Sequence, residues 1–439
     1  MSFINKKVLS VCILFVGVLL CRWLFVMNHP GNASKISKYL KEYNKLIKSD
    51  IEADENAAGY YEKAVELFVS PGEKLQNLLA TDFAYKDCLE RDETIEWIDQ
   101  NYRALEMLEK GTVKPYFVME YKGLGLYELN FPLSLSKIES LVSAICLRAL
   151  IKADKGDFLE AFSDIMVGYK FTRHWIDKKT IIEQCLALKC RSRVLKTIRD
   201  ILQNYEIAND KLIKFQDDLN KALHEEKVIA DFTYEKYKFF EIIDLTFSDE
   251  GGIKESKKEY YRSLFKNDGA WTKKIDQEGF WEGINKKGSL NTTEKIFNYI
   301  DEVKTQIPAK WHDRNESVEE ALNKIINDNP VLYLSIFNAE AFLEKAYFVR
   351  TETEAVINIF ALMRYKNEKG NFPDSLNQLK AENYIDSVAI DAFSGKALIY
   401  KKTNASFVLY TVGSNYRDDG GEHSNKIKEL DYIFWPVMN

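Results

Sequence analysis

The chain has 439 residues, enough for two or three domains, and its 46% hydrophobic and 13% aromatic content supplies ample core and excludes global disorder. Its 61 basic and 67 acidic residues leave a formal net charge of −6, with neither the basic excess nor the basic stripe of a nucleic-acid binder, so no nucleic-acid partner is expected. Only 8 prolines and 20 glycines interrupt it, which favours long helices over strands and turns.

The N-terminus reads as a membrane anchor, residues 1–33. Lys6 and Lys7 precede the apolar run Val8–Leu20; Arg22 breaks it and Trp23–Met27 extends it to about 20 residues, the length that crosses a bilayer core. The Lys pair predicts the N-terminus inside and the body outside, whereas Lys35, Lys38, Lys41, Lys45 and Lys48 argue for the opposite topology. Two processing alternatives stand beside the uncleaved anchor: signal cleavage near Gly31 and Ala33, or a lipoprotein signal using Cys21. A buried helix of a soluble protein is a further alternative. The expected location is a bacterial cell membrane, single-pass, with the body extracytoplasmic.

Residues 34–337 read as an irregular helical bundle. Tyr39, Leu40, Tyr43, Leu46 and Ile47 form one apolar stripe; Tyr60, Ala64, Leu67 and Phe68 form another; Trp97, Leu105 and Leu108 lie on a third. Gly111–Pro132 reads as an irregular connection with some extended structure. Between Ser136 and Tyr205 the spacing predicts successive apolar helices, turned at Lys155-Gly156-Asp157. They have the look of helix-hairpin repeats, but the 34-residue period does not recur, which favours a bundle. Ser248–Gly288, polar and dotted with glycine, reads as a solvated linker or a lid; Trp271 and Trp281 within it, and Trp311 beyond it, are candidates for a binding surface.

Residues 338–439 predict a small α+β module. A helix from near Asn338 to Lys369 stops at Gly370, a shorter one covers Ser375–Glu382, and β-like runs follow at Ala397–Lys401, Phe407–Val412 and Tyr432–Phe434, as an antiparallel sheet.

The order of motifs here resembles the globular part of the major pseudopilins of type II secretion systems. It rests on Arg364-Tyr365, Gly370-x-Phe372-Pro373, Ser375-Leu376-x-x-Leu379, Asp391-x-Phe393-x-Gly395 and Tyr400. Thr411-Val412-Gly413-Ser414-Asn415, Asp418-Asp419-Gly420-Gly421 and Asp431-x-Ile433 complete it. It covers roughly the last 100 residues; Ala389 and Ala392 stand where that family has prolines, and the pilin leader is missing. The body, with Glu55-Asn56-Ala57-Ala58-x-Tyr60-Tyr61 near its start, resembles large uncharacterised bacterial envelope proteins carrying such a module. The resemblance implies calcium in the last loop, with Asn415, Asp418, Asp419 and Asp431 as ligands and the Val412 carbonyl a further donor. A tight Gly-rich loop that aims carboxylates, an amide and carbonyls at one point is what a hard cation requires. The bland alternative is a solvated acidic turn.

No motif carries catalysis. The five histidines include no HExxH, and His224-Glu225-Glu226-Lys227-Val228 fails at its last position. GxSxG, Walker A and GxGxxG are all missing. His174, beside Trp175, reads as packed or surface, and pairs such as Asp217/Asp218 and Glu319/Glu320 as solvated faces. The six cysteines read as buried free thiols, with a Cys88–Cys146 disulfide as the alternative. The chain is therefore expected to be a membrane-anchored binding or structural envelope protein, with an envelope or secretion-system protein as partner. The alternatives are an extracytoplasmic hydrolase with a pocket in the body, or an accessory of a type II secretion-like apparatus.

Overall fold

A computed structural model describes residues 36–49, 51–79, 92–126, 129–226, 230–265, 273, 275–306 and 339–438. The N-terminal apolar run, Cys88, Trp271 and Trp311 lie outside them. Among the described residues no helix is long and apolar enough to cross a membrane.

The protein is mainly helical with a small C-terminal antiparallel sheet. Helix α1 (Lys38–Lys48) is followed by α2 (Ala58–Leu67), α3 (Glu73–Leu79), α4 (Asp92–Gln100) and α5 (Tyr102–Thr112). Trp97 and Leu105, expected on one helix, fall on two: Asn101 bends the chain, its side chain taking the Val69 N–H and donating to the Val69 carbonyl. The Gly- and Pro-rich stretch beyond forms a short antiparallel ribbon, β1 (Lys122–Gly123) with β2 (Leu129–Asn130).

The bundle proper is α6 (Leu135–Asp154), α7 (Phe158–Arg173), α8 (Ile181–Asn204) and α9 (Asn209–His224). Helix α8 begins with a capping box: Thr180 Oγ1 accepts the Glu183 N–H, and the Glu183 carboxylate accepts the Thr180 N–H at 2.9 Å. Phe162 stacks on Phe215 at 3.8 Å between centroids and tilts against Phe360, so α7 and α9 share one aromatic seam with the long C-terminal helix.

Where the polar stretch Ser248–Gly288 was expected to be a solvated linker, the chain folds into helices. After α10 (Thr233–Thr246) come α11 (Glu255–Phe265) and α12 (Phe280–Gln306), the latter broken at Gly288. Ile253, Tyr261, Ile275, Trp281 and Ile284 are buried there. A few apolar side chains at helical spacing supply the packing, diluted in sequence by lysine and glycine. Trp281 is a core residue, not part of an exposed binding surface.

The C-terminal module follows the expected order. Helix α13 (Ala339–Lys369) ends where Gly370, at φ +81°, lets its N–H close on the Lys366 carbonyl. Helix α14 (Leu376–Ala381) leads to β3 (Ile399–Lys402), β4 (Phe407–Thr411) and β5 (Tyr432–Trp435), antiparallel in that order. Leu409 pairs with Trp435 and Thr411 with Tyr432, across a bulge between Leu409 and Tyr410. Asp391, fully buried, holds the corner before the sheet: its carboxylate accepts from the Phe393 and Val412 N–H groups and from the hydroxyls of Ser394 and Thr411.

One continuous apolar core joins this module to the bundle. Helix α13 packs on α8 and α9, and at its centre Arg199 of α8 donates to Glu352 of α13 at 2.6 Å and to the Phe434 carbonyl of β5 at 3.3 Å. Both charged side chains are buried. Removing one partner strands the other charge in the core, so Glu352→Ala is expected to lower unfolding free energy by about 3–5 kcal/mol in urea denaturation. The double variant Arg199→Met, Glu352→Met should recover most of that loss. A single variant within 1 kcal/mol of the parent, on the scale of about 0–1 kcal/mol for exposed pairs, would show that the pair is not the clamp described.

Candidate functional site

The loop joining β4 to β5 carries all four residues expected to bind calcium. Gly413 starts it at φ +67°; a Cβ there would lie 2.3 Å from the Ile427 carbonyl oxygen, so only glycine lets the loop close on itself. The Ser414 N–H then donates to that carbonyl at 2.8 Å. Helix α13 anchors the outside, since Glu344 accepts the Ser414 hydroxyl and pairs with Lys428.

Within this frame the four side chains differ. Asp418 accepts the Tyr410 hydroxyl at 2.8 Å and the Gly420 N–H, and that hydroxyl holds its carboxyl below the usual range. Asn415 donates to Asp419 at 2.8 Å and to the Glu429 carbonyl, and accepts the Arg417 N–H, so its amide is spent on the loop. Asp431 is the exception. It is fully buried, Oδ2 accepts the Gly421 N–H at 2.8 Å, and Oδ1 has no hydrogen-bond partner. Burial pushes its carboxyl up; the N–H groups of Gly421 and Asp419 pull it down, and the negative charges of Asp418 and Asp419 raise it again.

Three carboxylates thus share a small loop, one of them buried with a bare oxygen. That excess of negative charge fits a cation. The donors, however, do not converge: among the described residues no three His, Cys, Asp or Glu side chains are grouped to hold a metal. A bound ion would take Asp431 as its buried ligand, with Asp418 and Asp419 at the rim, and Asn415 would act by bracing Asp419.

Several buried ionisable residues of the described body are committed to structure. Glu183 takes the Tyr121 hydroxyl at 2.6 Å besides its capping contacts, and burial pushes its carboxyl up. Arg191 pairs with Glu226, the acid inside the failed His224 motif, in a fully covered contact. Cys146 and Cys190 are buried thiols, pushed by burial to about 11 and 12. Cys185 is exposed.

One surface feature was hidden by the modest overall charge. A groove of about 390 Å³ opens between α1 and the segment Glu120–Gly123, rimmed by Lys41, Lys45, Lys48 and Lys122. Positions 38, 41, 45 and 48 recur at helical spacing, so their lysines share one face of α1, opposite the buried Leu40, Tyr43 and Ile47. Asn44 sews the two walls together, donating to the Tyr121 carbonyl and accepting its N–H, each at 2.9 Å.

No protein-family model, no curated protein and no solved structure matches this chain.

His174 lies in the core, with Nδ1 2.7 Å from the Tyr61 hydroxyl. Burial, with Arg173 and Lys179 adding repulsion, lowers its imidazole from 6.5 to about 4. Between those two values the unfolded chain binds a proton that the native state refuses. The resulting stability is complete above pH 6.5 and drains away as pH falls towards 4, to a total of about 3 kcal/mol. His174→Gln is expected to flatten the melting-temperature profile over that range; parallel profiles for parent and variant would refute the assignment.

Proposed function

We propose that the chain is a membrane-anchored, extracytoplasmic binding or structural protein of a bacterial envelope, whose C-terminal module is stabilised by calcium. The anchor rests on the N-terminal sequence pattern of a Lys pair ahead of about 20 apolar residues. The calcium reading is carried by one observation: the fully buried Asp431 carboxylate, one oxygen bare, beside Asp418 and Asp419. A hard divalent cation supplies the charge that such a buried acid lacks, and a loop closed at Gly413 and braced on Glu344 keeps the donors near it.

The binding reading is favoured over hydrolysis by where the carboxylates are. Glu183 and Glu226 are buried and taken up by capping and ion pairing, and Glu120 at the groove is paired with Lys48. A hydrolase of the two-carboxylate kind needs free acids facing an open cleft.

Calcium that binds only the native state must raise its stability, by about 2.7 kcal/mol at a hundredfold excess over Kd. The full chain in detergent is therefore expected to melt higher in millimolar calcium than in chelator, with magnesium giving little. Asp431→Asn should abolish the increment while leaving stability in chelator equal or higher, because it removes a buried charge. Equal melting temperatures with calcium and chelator would retire the calcium site. For the anchor, the chain is expected to stay with membranes through an alkaline carbonate wash; its release would overturn that part of the reading.

A further inference from the structure

We propose that the lysine-rimmed groove beside α1 docks the headgroups of anionic lipids and so seats the body on the membrane surface. The inference rests on the anchored reading above and adds to it a second attachment, made by the folded body itself.

Charge accounting on the groove supplies the first reason. Lys48 is paired with Glu120 and Lys38 with Asp244, but Lys41, Lys45 and Lys122 have no carboxylate partner among the described residues. Three uncompensated ammonium groups around one cleft repel each other, and an arrangement of that sort stands to gain from an anion. Glu42, on the same helix, is exposed and makes no ion pair among the described residues.

The second reason is the apolar material at the same edge. Ile36 lines the groove and is 50% exposed; Leu124 is 45% exposed, and its carbonyl accepts the Ser37 N–H at 2.8 Å, which puts the two side chains on adjoining strands of chain. Exposed aliphatic groups beside lysines, whose own stems are apolar, match the boundary between headgroups and acyl chains. A free phosphate would use the ammonium groups and leave Ile36 and Leu124 in water. A lipid surface uses both.

Chain connectivity is the third reason. Ile36 follows Met27, the end of the apolar run, by nine residues, a reach of at most about 32 Å when extended. With the run in a bilayer, the groove cannot be far from the headgroups of the leaflet where the body emerges. Near an anionic surface each lysine adds attraction that salt screens within a Debye length.

The test reconstitutes the full chain into vesicles of phosphatidylcholine alone or with phosphatidylglycerol. A water-soluble amine-acylating reagent then reads lysine accessibility residue by residue in the mass spectrometer. Lys41, Lys45 and Lys122 are expected to be protected roughly threefold or more in anionic vesicles, with half-molar salt removing the effect, while exposed Lys155 and Lys396 do not change. The variant Lys41→Glu, Lys45→Glu, Lys122→Glu, whose changed side chains are at the surface, should keep the parent's circular dichroism and melting temperature. It should also label Lys48 and Lys35 equally in both vesicle types.

Equal labelling of the parent in neutral and anionic vesicles overturns the proposal. Equal protection by glycerol phosphate in neutral vesicles also overturns it, and identifies a free-anion site instead. A carbonate wash of the same samples reports on the anchor separately. If the chain washes off while the footprint, taken beforehand, persists, the anchor falls and the docking groove stands; if it resists washing without a footprint, the reverse holds.

Discussion

A single buried guanidinium organises the architecture. Arg199 sits towards the C-terminal end of α8, buried away from water, and it is matched by Glu352 from α13 and the Phe434 carbonyl from β5. Each contact belongs to a different part of the chain, so only the assembled bundle and sheet solvate the charge. A buried ion pair of this sort adds little net stability over an apolar pair, yet any packing that separates its members is penalised heavily. The C-terminal sheet therefore has one orientation on the bundle. The aromatic seam through Phe162, Phe215 and Phe360 supplies the attraction that the ion pair then aims.

That dependence explains which parts of the fold were legible in the sequence. Regular elements announce themselves locally. The stripe of α13, its stop at Gly370 and the strands at 399–402, 407–411 and 432–435 all depend on short-range chemistry, and the order of elements follows from it. Ser248–Gly288 escaped because its burial is supplied by isolated residues such as Tyr261 and Trp281, whose helical spacing is drowned by lysine and glycine. Pairings across long separations leave no local trace. Nothing near Arg199 names Glu352, 153 residues away, or distinguishes Arg199 from the charged residues around it.

The candidate sites follow the same rule. Asn415, Asp418, Asp419 and Asp431 entered as a group through the resemblance to the major pseudopilins, with the glycines around them marking a tight loop. Their separate roles did not. Asp431 is fixed by its backbone bridge to His423, by its carbonyl accepting the Ser424 N–H, and by its carboxylate accepting the Gly421 N–H. The demotion of Asn415 to a brace follows from the curl of the loop, which sets its amide against Asp419. The lysine face of α1 could have been found by projecting Lys38, Lys41, Lys45 and Lys48 onto a helix. Lys122 could not, since it arrives through the ribbon after a gap of 74 residues from Lys48.

The distribution of satisfied and unsatisfied charge is what separates structure from function in this chain. Two interior carboxylates are consumed: Asp391 by four donors, and Glu183 by the cap of α8 and Tyr121. Groups held this firmly have no capacity left for a substrate, because exchanging a partner would leave a buried polar atom bare. Two less satisfied places carry opposite sign. One is the acidic loop with the bare oxygen of Asp431; the other is the groove of uncompensated lysines beside α1. Each would be stabilised by what the other lacks, a cation in the first and an anionic surface in the second. On the proposed reading, those two places are where the chain would bind.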